Sequence, residues 1–192
     1  MQALKERILK EGKVLPGNII KVDGFLNHRV DCAFMGEIAD AFAKIFDLSQ
    51  VDVILTAEAS GIALASVCAY KWGKPMIFAK KAKSDNIEGG LYKSEIMSYT
   101  YGKKVTLILA KQWLQPRTRV LIIDDFMARG EAVRGLCELV GESGAYLVGI
   151  GIAVEKGFQG GGDRLREMGI NYHALAVIDK AAPDQIIFRD EE

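Results

Sequence analysis

Val120-Leu121-Ile122-Ile123-Asp124-Asp125-Phe126-Met127-Ala128-Arg129-Gly130-Glu131-Ala132 is the stretch from which the fold is read. Its first four residues are apolar β-formers, in a run of strand length with no polar face, as a central parallel strand requires. Two adjacent acids follow, Asp124 and Asp125, at the carboxyl end of that strand, where open α/β sheets bind ligands. A turn at Gly130 then leads into Val133, Leu136, Leu139 and Val140 at helical spacing. Backbone N–H groups at a helix start favour an anion. The stretch therefore offers two carboxylates able to hold sugar hydroxyls or a metal, beside a cradle for phosphate. Adjacent carboxylates repel one another, so a solvated acidic pair is the ordinary alternative. A Walker-type magnesium acid would need a G-x-x-x-x-G-K-[ST] loop, and the chain has none.

Toward the N-terminus, Val51 to Thr56 is a second buried-strand candidate. It runs directly into Ala57-Glu58-Ala59-Ser60-Gly61 and a helix through about Lys71, stopped by Gly73 and Pro75. Met76 to Ala79 reads as the next strand and ends in Lys80, Lys81 and Lys83. Residues 84–95 are polar, carry Gly89-Gly90, and read as a mobile surface loop. Ile96–Thr100 and Val105–Ala110 flank a hairpin turn. Further upstream, Phe34, Ile38, Ala39, Phe42 and Ile45 mark a helix over about 31–47. Asn18–Phe25 reads as a strand broken by Gly24, and 2–11 as a charged helix with Leu4, Ile8 and Leu9 on one side. Downstream, the helix after Gly130 runs to a cap at Gly144. Leu147–Val154 is a buried strand leading to Lys156, Gly160-Gly161-Gly162 a loop, 163–168 a short helix, and 172–178 and 185–189 strands.

Strand–helix–strand order across 51–154 predicts an α/β fold, a mostly parallel sheet with helices on both faces. Its strand-end loops can converge on one ligand. The expected organisation is one domain: a core over about 31–156, a flexible loop over about 82–104, and a hood from about 1–30 and 157–192.

The 192 residues suffice for a sizeable core. Lysine plus arginine and aspartate plus glutamate number 25 each, so no global field steers the chain to nucleic acid or membrane. Cys32, Cys68 and Cys137 are widely spaced in apolar contexts and read as buried reduced thiols. The start Met-Gln-Ala-Leu-Lys-Glu-Arg has no apolar signal region, and no apolar run is long enough to span a bilayer. A cytoplasmic location is expected.

Residues 120–132 resemble the phosphoribosyl-pyrophosphate (PRPP) signature of the type I phosphoribosyltransferases. Lys21–Asp31, Glu58–Ala63, Phe78–Lys81 and Gly149–Gln159 resemble, in the same order, segments of the xanthine-using branch. The likeness covers nearly the whole chain. It implies the type I phosphoribosyltransferase fold and transfer of a phosphoribosyl group from PRPP to xanthine, giving XMP and pyrophosphate, with guanine as a plausible second substrate. It also implies Mg²⁺ bound mainly through PRPP rather than by side chains, and a homodimer. A hypoxanthine/guanine enzyme and a non-catalytic PRPP-binding regulator are the alternatives.

Carried over by position, the resemblance gives Asp124 and Asp125 the ribose hydroxyls. Ala128, Arg129, Gly130, Glu131 and Ala132 would wrap the 5′-phosphate. The family often has a Thr or Ser hydroxyl in this loop; here there is none, and Glu131 should point outward, since phosphate would repel it. Ala59, Ser60 and Gly61 match the pyrophosphate loop, and Lys81, with Lys80 less surely, would meet the pyrophosphate. Ser98-Tyr99-Thr100 resembles the most recognisable part of the closing loop. Lys156 would donate to the purine 6-oxo group and N7, Asn27 would read the 2-position, and Ile20 and Phe158 would pack on the base. His28 and His173 read as structural or surface residues.

Overall fold

The computed structural model describes residues 1–81, 90–98, 102–183 and 185–190. Three crossover units build its centre. β3 (Val53–Ala57) leads through α3 (Ser60–Trp72) to β4 (Met76–Lys81). β7 (Arg119–Met127) leads through α4 (Glu131–Ser143) to β8 (Tyr146–Lys156), which leads through α5 (Gly161–Glu167) to β9 (Tyr172–Ala182). With the hairpin β5 (Leu91–Ser98) and β6 (Lys103–Ala110) and the last strand β10 (Gln185–Phe188), these make an eight-stranded sheet. Its order is β10-β9-β8-β7-β3-β4-β6-β5. The five strands from β9 to β4 are mutually parallel, whereas the pairings β10–β9, β4–β6 and β6–β5 at the edges are antiparallel. This is the α/β sheet that the alternating pattern predicts, with β7 at its centre.

Side-chain alternation divides the core into two layers. Ile54, Leu121 and Ile123 face one cluster with α2 (Cys32–Ala43) and α3. Val53, Leu55, Val120 and Ile122 face the other, with Val133, Leu136 and Leu139 of α4. α2 is capped by Asp31, whose carboxylate accepts from the Phe34 amide at 3.1 Å. α1 (Gln2–Glu11) packs Leu4 and Ile8 into the first cluster, beside Leu175 and Ile178 of β9. Leu9 is 57% exposed, because three apolar side chains at this spacing span more of the helix than its neighbours cover. Ile45 lies beyond the end of α2 and is likewise exposed.

Several expected boundaries shift. The strand expected over Asn18–Phe25 is a short hairpin strand, β2 (Ile19–Lys21), paired with β1 (Lys13–Leu15). A π-helical turn over Asp23–Asn27 follows and carries Asn27. The loop expected over 84–95 ends earlier, since β5 starts at Leu91. Tyr92, Ser94 and Ile96 alternate inward there, and the buried Ser94 hydroxyl is satisfied by Glu138 of α4 at 2.6 Å. Residues 82–89 and 99–101, which hold part of the expected closing loop including Tyr99 and Thr100, lie outside the described residues. The glycine run 160–162 opens α5 instead of forming a loop. Residues 172–182 and 185–188, expected in the hood, extend the main sheet, because β9 pairs with β8 over Tyr172–Ile178 and β10 pairs with β9. Cys32 is exposed at the first turn of α2, whereas Cys68 is buried and Cys137 partly so. No described helix is long and apolar enough to cross a membrane.

Gly151 of β8 shows how tightly one layer is closed. A Cβ there would lie 2.8 Å from Ile123 Cδ1 and 2.9 Å from the Phe42 ring. Gly151→Ala is expected to lower the unfolding free energy by about 1–3 kcal/mol through overpacking. A urea midpoint equal to that of the unmodified protein would refute this close approach.

Candidate active site

The acids predicted from the central stretch lie within β7, which continues past them to Met127. Both are almost fully buried, Asp124 at 6% and Asp125 at 3% exposure. They are held differently. Asp125 accepts from two side chains of distant elements, Asn27 Nδ2 at 3.1 Å and Ser60 Oγ at 3.0 Å. Asn27 comes from the π-helical turn and Ser60 from the first residue of α3. Asp124 accepts from the Asp125 backbone amide at 3.0 Å. Its carboxyl titrates well above the ordinary range because burial disfavours the charge and Asp125 adds like-charge repulsion. The Lys81 ammonium opposes this, which places a cation within electrostatic reach of the pair.

Gly61 allows α3 to begin directly over these acids. A Cβ at that position would lie 2.1 Å from Asp124 Oδ1 and 2.2 Å from Thr56 Oγ1. No side chain fits there, so glycine is required by space rather than by backbone angle. Thr56, which sequence reasoning treated only as the end of a strand, has a buried hydroxyl with no partner among the described residues. The next loop is folded against the end of β4: the Glu58 amide donates to the Ala79 carbonyl, and the Glu58 carboxylate accepts from the Lys81 amide. Glu58 thus couples the two loops expected to hold pyrophosphate. Its place between an apolar strand and a Ser-Gly pair was the only sequence signal for this.

The turn after β7 has the form the sequence implies. Gly130 adopts a left-handed conformation, φ 84°, and caps the start of α4. Such a turn aims the first helical amides, which have no partner within the helix, out of its end. Ala128 and Ala132 are partly buried and Arg129 is exposed. Glu131 faces away from the turn toward β5, accepting from the Met97 amide at 3.2 Å and Arg134 at 3.1 Å. A carboxylate directed there would not repel an anion bound at the turn.

Lys156 ends β8 with its ammonium 5.6 Å from the centre of the Phe126 ring. It has no carboxylate partner among the described residues, and burial lowers its pKa. Phe158 stands 37% exposed in the short turn after β8. Ile20 is buried in the N-terminal cluster beside Phe25 and Leu26, in the segment that carries Asn27. Hydrogen bonds therefore join Asn27, Ser60 and Asp125; Lys81 joins them by charge; Lys156 and Phe158 share the end of β8. His28 is exposed, and His173 packs edge-on against Phe46.

A buried acid with a raised pKa withdraws stability as pH rises through the unfolded value toward the folded one. Asparagine has Asp124's shape without that charge. Asp124→Asn is therefore expected to stabilise the unliganded protein at neutral pH by about 0.5–2 kcal/mol. The gain should vanish toward about pH 4, where the unfolded carboxyl is itself protonated. A lower neutral-pH midpoint for the variant would overturn this account of the pair.

Residues 31–165 match the model of the phosphoribosyl transferase domain family. The chain is 47% identical over 194 residues to a xanthine phosphoribosyltransferase of Lachnoclostridium phytofermentans, with all of both chains covered. It is 48% identical over 190 residues to xanthine phosphoribosyltransferase 1 of Clostridium perfringens, covering 98% of this chain and 100% of that one. Among solved structures, adenine phosphoribosyltransferase from Rhodothermus marinus superposes with a TM-score of 0.74 over 93% of this chain and 100% of that one, at 18% identity. The Saccharomyces cerevisiae adenine phosphoribosyltransferase gives 0.73 over 91% and 99%, at 19% identity. At that identity the likeness concerns the fold alone. With a buried acid pair late in the central strand, a left-handed glycine turn beside it and full-length kinship at nearly half identity, this chain belongs to the xanthine phosphoribosyltransferase family.

Proposed function

We propose that the protein transfers the 5-phosphoribosyl group of PRPP to N9 of xanthine, releasing pyrophosphate and forming XMP. The observation that carries this reading is the hydrogen-bonded junction at Asp125. One carboxylate accepts from Asn27, the expected base reader, and from Ser60 of the expected pyrophosphate loop. Base, ribose and pyrophosphate subsites would therefore meet around the carbon at which the bond is exchanged.

In this reading Asp124 and Asp125 hold the ribose hydroxyls, and the backbone from Ala128 to Ala132 wraps the 5′-phosphate. Ala59, Ser60, Gly61 and Lys81 receive the pyrophosphate. The purine N9 attacks C1 as the C1–pyrophosphate oxygen bond breaks, the configuration inverts through an oxocarbenium-like state, and the purine's ring N–H proton passes to water or to the departing pyrophosphate. Positioning and electrostatic stabilisation supply most of the rate. The described residues gather no group of three or more acids, histidines or cysteines about a metal. Two carboxylates at one strand end still suit Mg²⁺, which favours oxygen ligands and commonly binds through one or two carboxylates plus substrate phosphates. When bound with PRPP, the ion would neutralise the leaving pyrophosphate.

Base choice falls to the other side of the site. Lys156 is a donor without an acceptor, so it suits the 6-oxo group and N7 of an oxopurine and disfavours the 6-amino group of adenine. Asn27 would read the 2-position, with Ile20 and Phe158 bordering the ring. Guanine shares the 6-oxo group and is the expected second substrate. A cytoplasmic homodimer belongs to the same proposal. The dimer is supported by exposed Trp113 and Phe78 beside an open, largely apolar cavity of about 430 Å³.

Mass analysis after incubation with PRPP and xanthine should find XMP, and Asp125→Asn should lower its formation by about 100-fold or more without unfolding the protein. Adenine turnover with no xanthine turnover would overturn the base assignment. Separately, Lys156→Ala is expected to raise the KM for xanthine by about tenfold or more, leaving the KM for PRPP near its original value. A defect confined to PRPP would remove Lys156 from the base subsite.

A further inference from the structure

α5 is wedged between the end of β8 and the turn after β7. A Cβ at Gly161 would lie 2.3 Å from the Ala128 carbonyl oxygen and 2.9 Å from the Gly130 nitrogen. A Cβ at Gly162 would lie 2.3 Å from a carboxylate oxygen of Glu155. The first turn of α5 therefore has backbone of the 128–130 turn on one side and a carboxylate on the other. Neither position has room for a side chain. Arg164 adds a hydrogen bond from its guanidinium to the Arg129 carbonyl.

Glu155 is fully buried, at 0% exposure, and the proposed reaction does not use it. Arg166 of α5 donates to its two oxygens at 3.0 and 2.6 Å, and the Tyr172 hydroxyl donates at 2.9 Å. Arg166 also pairs with Asp163 at 2.8 Å. Arg189 joins Asp163 at 2.6 Å to Asp179 of β9 at 2.8 Å. An ionic chain thus runs from β8 through α5 to the C-terminal segment. A buried ion pair is weak grounds for stability, because desolvation offsets most of its attraction. Its value here is directional: the bidentate contact fixes where α5 lies, and α5 abuts the turn.

We propose that Glu155, acting through Arg166 and α5, is a positioning residue for the sugar-phosphate turn. It holds the backbone of Ala128–Gly130 where the amides at the start of α4 can meet the 5′-phosphate. The inference rests on the assignment of 128–132 as the phosphate cradle. Successive residues of a strand project to opposite faces. Lys156 accordingly lies over Phe126, while Glu155 turns to α5 and Tyr172. The end of β8 thus directs one charge to the base and the next to the sugar phosphate, so their variants should separate by substrate.

Glu155→Gln, which keeps size and removes charge, and Gly161→Ala, which pushes on the turn directly, test this. Ribose 5-phosphate binding by calorimetry and KM values for both substrates are the readouts. Both variants are expected to weaken ribose 5-phosphate and raise the KM for PRPP by about tenfold or more, as a small misplacement of binding groups can. The KM for xanthine should stay at its original value. If Gly161→Ala does not fold, Glu155→Gln decides the same comparison. Lowered thermal stability with unaltered ribose 5-phosphate binding would overturn the positioning role, as would equal losses for both substrates. An unmodified protein that takes up no ribose 5-phosphate would instead overturn the cradle assignment beneath it.

Discussion

Two carboxylates held side by side in a nearly dry site constrain the architecture around them. Like charges at the end of a buried strand repel each other and lose hydration, so the neighbours must answer both penalties. The answers come from remote parts of the chain. Asn27 and Ser60 donate to Asp125, the Asp125 amide donates to Asp124, and Lys81 supplies charge. Each donor must come close, and the absence of a side chain at Gly61 makes that approach possible. The N-terminal turn, the start of α3 and the end of β4 are thereby tied to β7 by one electrostatic need.

The same need separates folding from function. A carboxyl with a raised pKa withdraws stability from the empty protein as it ionises. A ribose hydroxyl or a cation would relieve that penalty by supplying donors or charge. Strain of this kind is expected at a ligand site, where local consistency is given up for binding. Elsewhere the local rules agree: Asp31 caps α2, Gly144 ends α4 in a left-handed turn, and the two layers close on alternating residues of β3 and β7.

Charge is divided between two directions at the end of β8. Lys156 has no carboxylate partner among the described residues, whereas Glu155 one residue earlier is paired with Arg166. Period-two alternation puts them on opposite faces. The half-buried ammonium over Phe126 suits a polar ligand, and the carboxylate paired with Arg166 suits a structural anchor.

The sequence alone determined the α/β class, the central place of 120–132 and the identity of the acids. These follow from local patterns: an unbroken apolar run, a helical period and a glycine at a turn. The resemblance, through its expected phosphate, implied that Glu131 points outward, and the side chain does turn to the Met97 amide and Arg134. Only the tertiary structure decided what meets at Asp125, since Asn27 lies 98 residues away along the chain and Ser60 65. Nothing local in Gly160-Gly161-Gly162 tells a loop from a helix start. Its meaning comes from the backbone of Ala128–Gly130 and the carboxylate of Glu155 pressed against it. The period-two pattern at Tyr92, Ser94 and Ile96 was hidden by polar neighbours until α4 provided the surface that buries it. Periodicity and turn chemistry are written along the chain, whereas close approach and charge pairing exist only between segments that folding brings together.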